Sequence, residues 1–288
     1  MNSHLDSIGR PAAASPPPTV TLLERHRGRL RGPAPGASKA EGWIELAYVN
    51  SGNGFLQGGL QSQPLRPGDL VLAPAGSPLR IEDSKGDPLG LYTVVIPRGV
   101  LARATVEPEG LPAGRLALEG PCASHVAHSM RRLLFEQSRS DPQGRAALEA
   151  HTIELLSSLP AIAEGQAPAE SSSVRRLKEG PGQERMQSYV SSLEQRFFEE
   201  TTIDQAASLL DLSRRRFTQL FREVTGTTWL SHLRKLRIQH ARHVLTDTRR
   251  TVQSVAFECG FDDLSTFYRA FKREAGTSPN RWRQDHVS

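Results

Sequence analysis

Cysteine is nearly missing from this sequence. Cys122 and Cys259 are the only two and lie far apart, so neither a disulfide scaffold nor a cysteine-rich metal site is expected, and a reducing, intracellular setting is the default. Long apolar runs are missing too: none approaches the roughly 18 residues of a membrane helix, which excludes a helical membrane protein. The opening MNSHLDSIGRPAAASPPP has no apolar core segment, so no secretory signal is expected. Aromatics are scarce at 6%, and no histidine stands between Trp43 and Tyr92. What is present is a globular balance, 37% hydrophobic and 23% charged over 288 residues, enough for about two domains with real cores.

Positive charge is spread unevenly. Residues 184–288 hold 17 Lys and Arg against 13 Asp and Glu, while the rest of the chain holds 19 against 18. The C-terminal third is therefore where a polyanion would bind. Residues 1–20 are rich in Ala, Pro and Ser and read as a disordered tail. From Trp43 to about Leu118 the pattern is short and strand-like. Trp43–Val49 and Leu89–Ile96 are the clearest strands. Between them, Pro67-Gly68 supplies the fixed and the positive φ of a type II turn. Short strands at this spacing suggest an antiparallel sandwich or barrel.

Helical spacing begins near Ser124, with Val126, Met130, Leu133 and Leu134 on one face. It resumes from Gly144 to Leu159 with Leu148, Ile153, Leu155, Leu156 and Leu159. These helices either pack on their own barrel or form a self-association surface, since periodicity shows a buried face but not what buries it. Residues 164–183 have no apolar period and many Gly, Pro and Ser, as a linker does.

The remainder repeats. Ile203 matches Val252 and Ala207 matches Ala256. One residue later in register, Phe217 matches Phe267, Phe221 matches Phe271, Arg222 matches Lys272 and Gly226 matches Gly276. Each copy, about 202–226 and 251–276, reads as a short helix, a turn and a longer helix, the pattern of a helix-turn-helix. Thr202 and Ser213 stand where N-caps belong, and Gly226 where the longer helix ends. Trp229–Thr246 reads as a helix joining the copies at fixed separation. His232, His240 and His243 read as surface or interhelical residues, since no carboxylate or cysteine accompanies them at ligand spacing.

Off the apolar stripes lie Arg214, Arg215, Thr218, Gln219 and Arg222 in the first copy. The second offers Leu264, Ser265, Thr266, Tyr268, Arg269, Lys272 and Arg273. Arg and Gln present donors and acceptors that fit base edges in the major groove. Hydroxyls and helix N-termini serve bases or phosphates. For any one of these residues, a plain solvated surface position is the alternative.

With these residues in place, the chain resembles the AraC/XylS family of bacterial transcription regulators. The resemblance rests on Ala207 with Ser213-(x)3-Phe217-(x)2-Leu220-Phe221-Arg222, on Gly226, and on Leu236-Arg237-(x)3-Ala241-(x)3-Leu245. Val255-Ala256-(x)3-Gly260-Phe261-Asp262 and the run from Thr266 to Pro279 complete it. It covers about a hundred C-terminal residues, and departs where His232 stands for an aromatic. It implies double-stranded DNA as partner, with base contacts from Arg215, Thr218 and Gln219, then from Ser265, Thr266 and Arg269. Arg214, Arg222 and Lys272 would touch phosphates, and Tyr268 belongs to the same surface.

The N-terminal half is similar, more loosely, to the cupin-like effector domain of sugar-responsive members, on Glu45–Val49, Leu65–Pro74 and Pro78. The resemblance thus implies an α+β chain of two domains. Residues 21–163 would form a cupin-like β-barrel with following helices for effector binding and dimerisation. Residues 184–288 would form an all-α DNA-binding domain with two helix-turn-helix units and a linking helix. The histidine cluster of enzymatic cupins is absent, so neither a metal, a cofactor nor catalysis is expected; a cupin enzyme and an architectural DNA binder are the alternatives. Trp43, Glu45, Tyr48, Arg80 and Tyr92 are the candidate effector-binding residues in a barrel mouth, the aromatics being otherwise ordinary core. A homodimer through residues 124–163, RNA polymerase as a further partner, and a cytoplasmic, nucleoid-associated setting complete the expectations.

Overall fold

The computed structural model describes residues 20–26, 43–58, 62–74, 79–103, 110–139, 141–166, 181–199, 202–248, 250–261 and 263–286. Residues 1–19 of the expected tail and 167–180 of the expected linker lie outside them, as does Asp262 of the family motif. Val20, at the end of that tail, is buried.

Among the described residues eight strands come first: β1 (Thr21–His26), β2 (Trp43–Ser51), β3 (Gly54–Gln57), β4 (Gln63–Leu65), β5 (Leu70–Pro74), β6 (Arg80–Asp83), β7 (Gly90–Pro97) and β8 (Gly114–Leu116). They make two antiparallel sheets, a large one in the order β1-β7-β2-β5-β8 and a small one in the order β4-β3-β6. The expected barrel is corrected to an open pair of sheets among the described residues. β4 and β8 have only three residues each, too few to carry a ladder around the edges. The turn before β5 forms as its residues require: Gly68 has φ +96°, and the Asp69 amide donates to the Arg66 carbonyl at 3.0 Å. Asp69, itself buried, accepts two hydrogen bonds from Arg115 at 2.9 and 3.1 Å and so ties β8 to this turn.

Strand alternation gives the large sheet two buried faces. Ala47, Val49, Val71 and Leu91 meet Leu56, Leu65 and Ile81 of the small sheet. Ile44, Leu46, Tyr48, Leu70, Leu72, Tyr92, Val94 and Ile96 point the other way. Against that second face pack two helices, α2 (Gly120–Ser138) and α3 (Pro142–Ala163), which follow the short α1 (Arg98–Arg103). The helices thus cover their own sheet, the first of the two readings of their apolar faces. Asp141 caps α3 by accepting from the Gly144 amide at 2.6 Å.

The described residues of the C-terminal part form helices only: α4 (Gly182–Arg196), α5 (Ile203–Leu209), α6 (Arg214–Thr225), α7 (Trp229–Asp247), α8 (Val252–Glu258), α9 (Leu264–Ala275) and α10 (Pro279–His286). It has two cores. Phe217, Leu220 and Phe221 of α6 join Tyr189 of α4 and Ala207 of α5 in the first. Phe267, Ala270 and Phe271 of α9 join Val255 and Ala256 of α8 in the second. Each buried Phe contributes about 1.5–3 kcal/mol of transfer free energy. The rod α7, about 28 Å long at 1.5 Å per residue, gives Trp229 and Leu233 to the first core and Ile238, Ala241, Val244 and Leu245 to the second. Ala207 and Ala256 are both buried at the crossings.

Candidate nucleic-acid interface

The first longer helix, α6, starts because Ser213 accepts from the Arg216 amide, and stops at Gly226, whose φ of +71° is the left-handed cap. Its partner α5 opens on a capping box, Thr202 accepting from the Gln205 amide while the Thr202 amide donates back to the Gln205 side chain. With Phe217, Leu220 and Phe221 turned inward, Arg214, Arg215, Gln219 and Arg222 are left exposed and Thr218 half-buried. Together with Glu223 they line one open depression. Arg214 pairs with Asp204 at 3.1 Å, both ends in solvent, and Gln219 donates to Glu223 at 2.8 Å. Neither contact removes the donors from reach.

The second longer helix repeats this in detail. Residues 263–276 have the same succession of exposed, half-buried and buried positions as residues 213–226, fifty residues on. Asp263 takes the place of Ser213 and accepts from the amides of both Ser265 and Thr266 at 2.9 Å. Hydrogen bonds from the Thr266 side chain and amide, and from the Ser265 amide, hold its carboxyl below the ordinary carboxylate range. Ser265, Thr266, Arg269 and Lys272 are exposed, and Arg269 donates to the Thr266 hydroxyl at 3.0 Å. Tyr268 is half-buried, its hydroxyl accepting from Asn280 at 3.2 Å.

Several contacts fix the units relative to each other. Arg237 of α7 donates to the carbonyls of Phe197 and Glu199 at 2.7 and 2.9 Å, with its guanidinium 5.5 Å from the centre of the Phe261 ring. Gly260 has φ +78°, and a Cβ there would meet the Phe198 carbonyl oxygen at 2.5 Å. Only glycine fits a turn pressed this close to another backbone. Beneath it, Glu258 is fully buried between His240, at 2.8 Å, and Arg250. Burial pushes the Glu258 carboxyl up, but the His240 hydrogen bond and the Arg250 charge outweigh it and leave it below its ordinary value. His240 is thus interhelical, His232 lies edge-on to Phe221 in the first core, and His243 pairs with Asp247 at the surface. In the first unit the support is α4: the Trp229 indole donates to the Tyr189 hydroxyl at 2.9 Å, and burial pushes that phenol up to about 12.

The five candidate effector residues are not brought into one pocket. Tyr48 and Tyr92 lie on the helix-facing side of the large sheet, and both stack on Phe257 of α8. Glu45, buried, alternates with them and belongs to the face between the sheets, beside Thr93, whose buried hydroxyl has no hydrogen-bond partner among the described residues. Arg80 is exposed on the outer face of the small sheet, next to Glu82. Trp43 opens β2 opposite Pro97, and its side chain lies outside the description. Sequence reading missed Phe257 and Thr93. A signal for Phe257 existed: its counterpart in the first copy is Ser208. Among the described residues no three His, Cys, Asp or Glu side chains are grouped to hold a metal, and no helix is long and apolar enough to cross a membrane.

A sheet-and-helix domain followed by two like helix-turn-helix units on one rod defines a two-headed reader of the transcription-regulator class. Comparison with known proteins agrees. Residues 23–156 match an AraC-like ligand binding domain and residues 206–285 a helix-turn-helix domain; the chain belongs to the AraC/XylS family. It is 46% identical over 72 residues to the HTH-type transcriptional activator RhaR of Klebsiella pneumoniae, which is 25% of this chain and 26% of that protein. With RhaR of Escherichia coli K12 it shares 36% over 81 residues, 28% of this chain and 29% of that one. The aligned stretches thus span under a third of these curated relatives. Among solved structures, the DNA-binding domain of AdpA in complex with a target DNA is similar at 28% identity, with a TM-score of 0.34 over 35% of this chain and 90% of that domain.

Proposed function

We propose that the protein is a sequence-specific, DNA-binding transcriptional regulator whose N-terminal domain senses a small metabolite. The observation that carries this reading is the matched pair of exposed faces on α6 and α9, which have the same pattern of burial and bear hydrogen-bonding and cationic side chains at corresponding places. Arg215, Thr218 and Gln219 read bases from α6. Ser265, Thr266 and Arg269 read them from α9, with Tyr268 beside them. Arg214, Arg222 and Lys272 neutralise phosphates. The proposed division is 21–163 for the cupin-like, effector-binding and dimerising domain, 164–183 for a linker and 184–288 for DNA binding. The effector site belongs to the N-terminal domain, whose residues 23–156 match an AraC-like ligand binding domain, with Trp43, Glu45, Tyr48, Arg80 and Tyr92 as its candidates.

The protein works in the cytoplasm as a homodimer through residues 124–163, without a cofactor or catalysis. Its likeness to proteins named activators favours activation through RNA polymerase.

Selection of bound sites from random duplexes tests the core of this reading. The expected outcome is a motif in two parts. Arg215→Ala then relaxes one part and Arg269→Ala the other, each at about 1–3 kcal/mol for particular bases. Lys272→Ala weakens binding on all sequences and reduces the salt slope by about one. No enriched motif, or equal losses on every duplex from the two arginine variants, overturns it.

A further inference from the structure

The second helix-turn-helix carries an aromatic that the helix-turn-helix fold does not need. Phe257 sits at the end of α8, and the matching residue of α5 is Ser208, exposed, with its hydroxyl donating to the Asp204 carbonyl at 2.9 Å. The first unit folds with a small polar residue there. Phe257 instead packs against the core of the N-terminal domain. Its ring stacks on Tyr48, 5.6 Å between centres and 29° between planes, and on Tyr92, 5.5 Å and 25°. The Arg131 guanidinium, from α2, lies 4.7 Å from the ring centre.

The backbone of α8 is gripped as well. The Tyr92 hydroxyl donates to the Ser254 carbonyl at 3.1 Å, and Arg131 Nε donates to the Phe257 carbonyl at 3.1 Å. A cation at the carbonyl end of a helix is favourably placed. Tyr92 and Arg131 are 0% and 2% exposed, so this contact is desolvated and not a grazing surface touch.

The same helix that supplies Arg131 also holds the first unit. Phe135 packs on Phe197 and Phe198, with ring centres 5.6 and 5.4 Å apart, and His128 faces Glu199 at 3.7 Å and the Phe198 ring. Positions 128, 131 and 135 fall on one side of a helix. So α2 touches the segment leading into the first unit with both ends of this stripe, His128 and Phe135, and the second unit with its middle, Arg131.

We propose that α2 is a second brace beside α7, and that Phe257, clasped by Tyr48, Tyr92 and Arg131, is the positioning residue through which the N-terminal domain sets where α9 stands relative to α6. The spacing of DNA subsites that the protein accepts is then specified partly by its N-terminal domain. This rests on the DNA-reading proposal above, and the test separates the two.

Spin labels on the full chain at Glu223→Cys and Arg273→Cys, exposed positions at matching places on α6 and α9, report the separation of the heads; both native cysteines are buried. The expected result is a narrow distance distribution that broadens in Phe257→Ser, the residue the first copy carries. It should broaden less in Tyr92→Phe, which loses only the hydroxyl and keeps the core filled. Unchanged distributions in both variants overturn the brace. On duplexes, one base pair inserted between the selected subsites should cost the wild type about tenfold in affinity and Phe257→Ser less than about threefold. Equal penalties in both proteins overturn the brace while leaving DNA reading intact. Absence of any sequence preference in the wild type sinks both.

Discussion

The two helix-turn-helix units share caps, turn, apolar stripe and burial pattern, and differ in what stands behind them. Both open with a threonine cap, both turn through a positive φ, at Asp211 (+50°) and Gly260 (+78°), and both end the longer helix on a glycine. Leu209 and Leu210 of the first unit, however, are Glu258 and Cys259 in the second. The first leans on α4 through Tyr189 and Trp229. The second leans on a buried ion cluster and on the N-terminal sheet. A reading surface is set by the caps, the turn and the apolar stripe. What stands behind the unit is free to diverge, and that divergence gives the two heads different neighbours.

The largest test of this contrast is Glu258→Ala. It strands His240 and Arg250 in a buried site and should cost about 3–5 kcal/mol in urea denaturation, whereas Leu209→Ala at the matching place, half-buried and apolar, should cost less. The pH dependence carries the same mark. The Glu258 carboxyl is held below its ordinary value, so its contribution is present above the usual carboxylate range, near about pH 4.3, and lost as pH falls through the lower folded value. The stability gap between wild type and Glu258→Gln should therefore close in acid; a constant gap would dissociate the cluster from stability. His128, whose pKa burial lowers against the pull of Glu199, adds stability above its unfolded value near 6.5 that fades as pH drops below it. His128→Gln should flatten the melting temperature between pH 7 and 5.

Next comes Gly260→Ala, which drives a methyl into the Phe198 carbonyl from a left-handed residue and should cost about 1–3 kcal/mol. The caps should be equal: Thr202→Ala and Thr251→Ala each lose about 1 kcal/mol by thermal melting, and a twofold disparity would show that the units are less alike than their geometry. Smallest is Asp211→Gly, a gain or loss of under about 1 kcal/mol, since relief of the positive φ offsets the added freedom of the unfolded chain.

How far the sequence disclosed this molecule follows the range of the forces involved. Caps, turns and the repeat are local, and Thr202, Ser213, Pro67-Gly68 and Gly226 act where their residue types indicate. The long helices followed from period alone. Failures began where a second layer mattered. Tyr48 and Tyr92 read either as pocket residues or as ordinary core, because alternation separates two faces without saying what covers each, and in β2 and β7 both faces are buried, which erases the contrast. Barrel closure depended on edge strands of which two, β4 and β8, have three residues, too short to leave a pattern. Phe257 and Arg131 are 126 positions apart, and no periodic signal links them. Only the mismatch of Phe257 with Ser208 marked the place.

The wedge at Gly260 has a consequence for how such a duplicated module ages. Two copies begin with equal latitude, but once one loop rests on a neighbouring peptide, its side-chain vocabulary shrinks to a single letter. The other loop turns through Asp211 at φ +50°, so a side chain is accommodated there. The second turn therefore accepts fewer substitutions than the first.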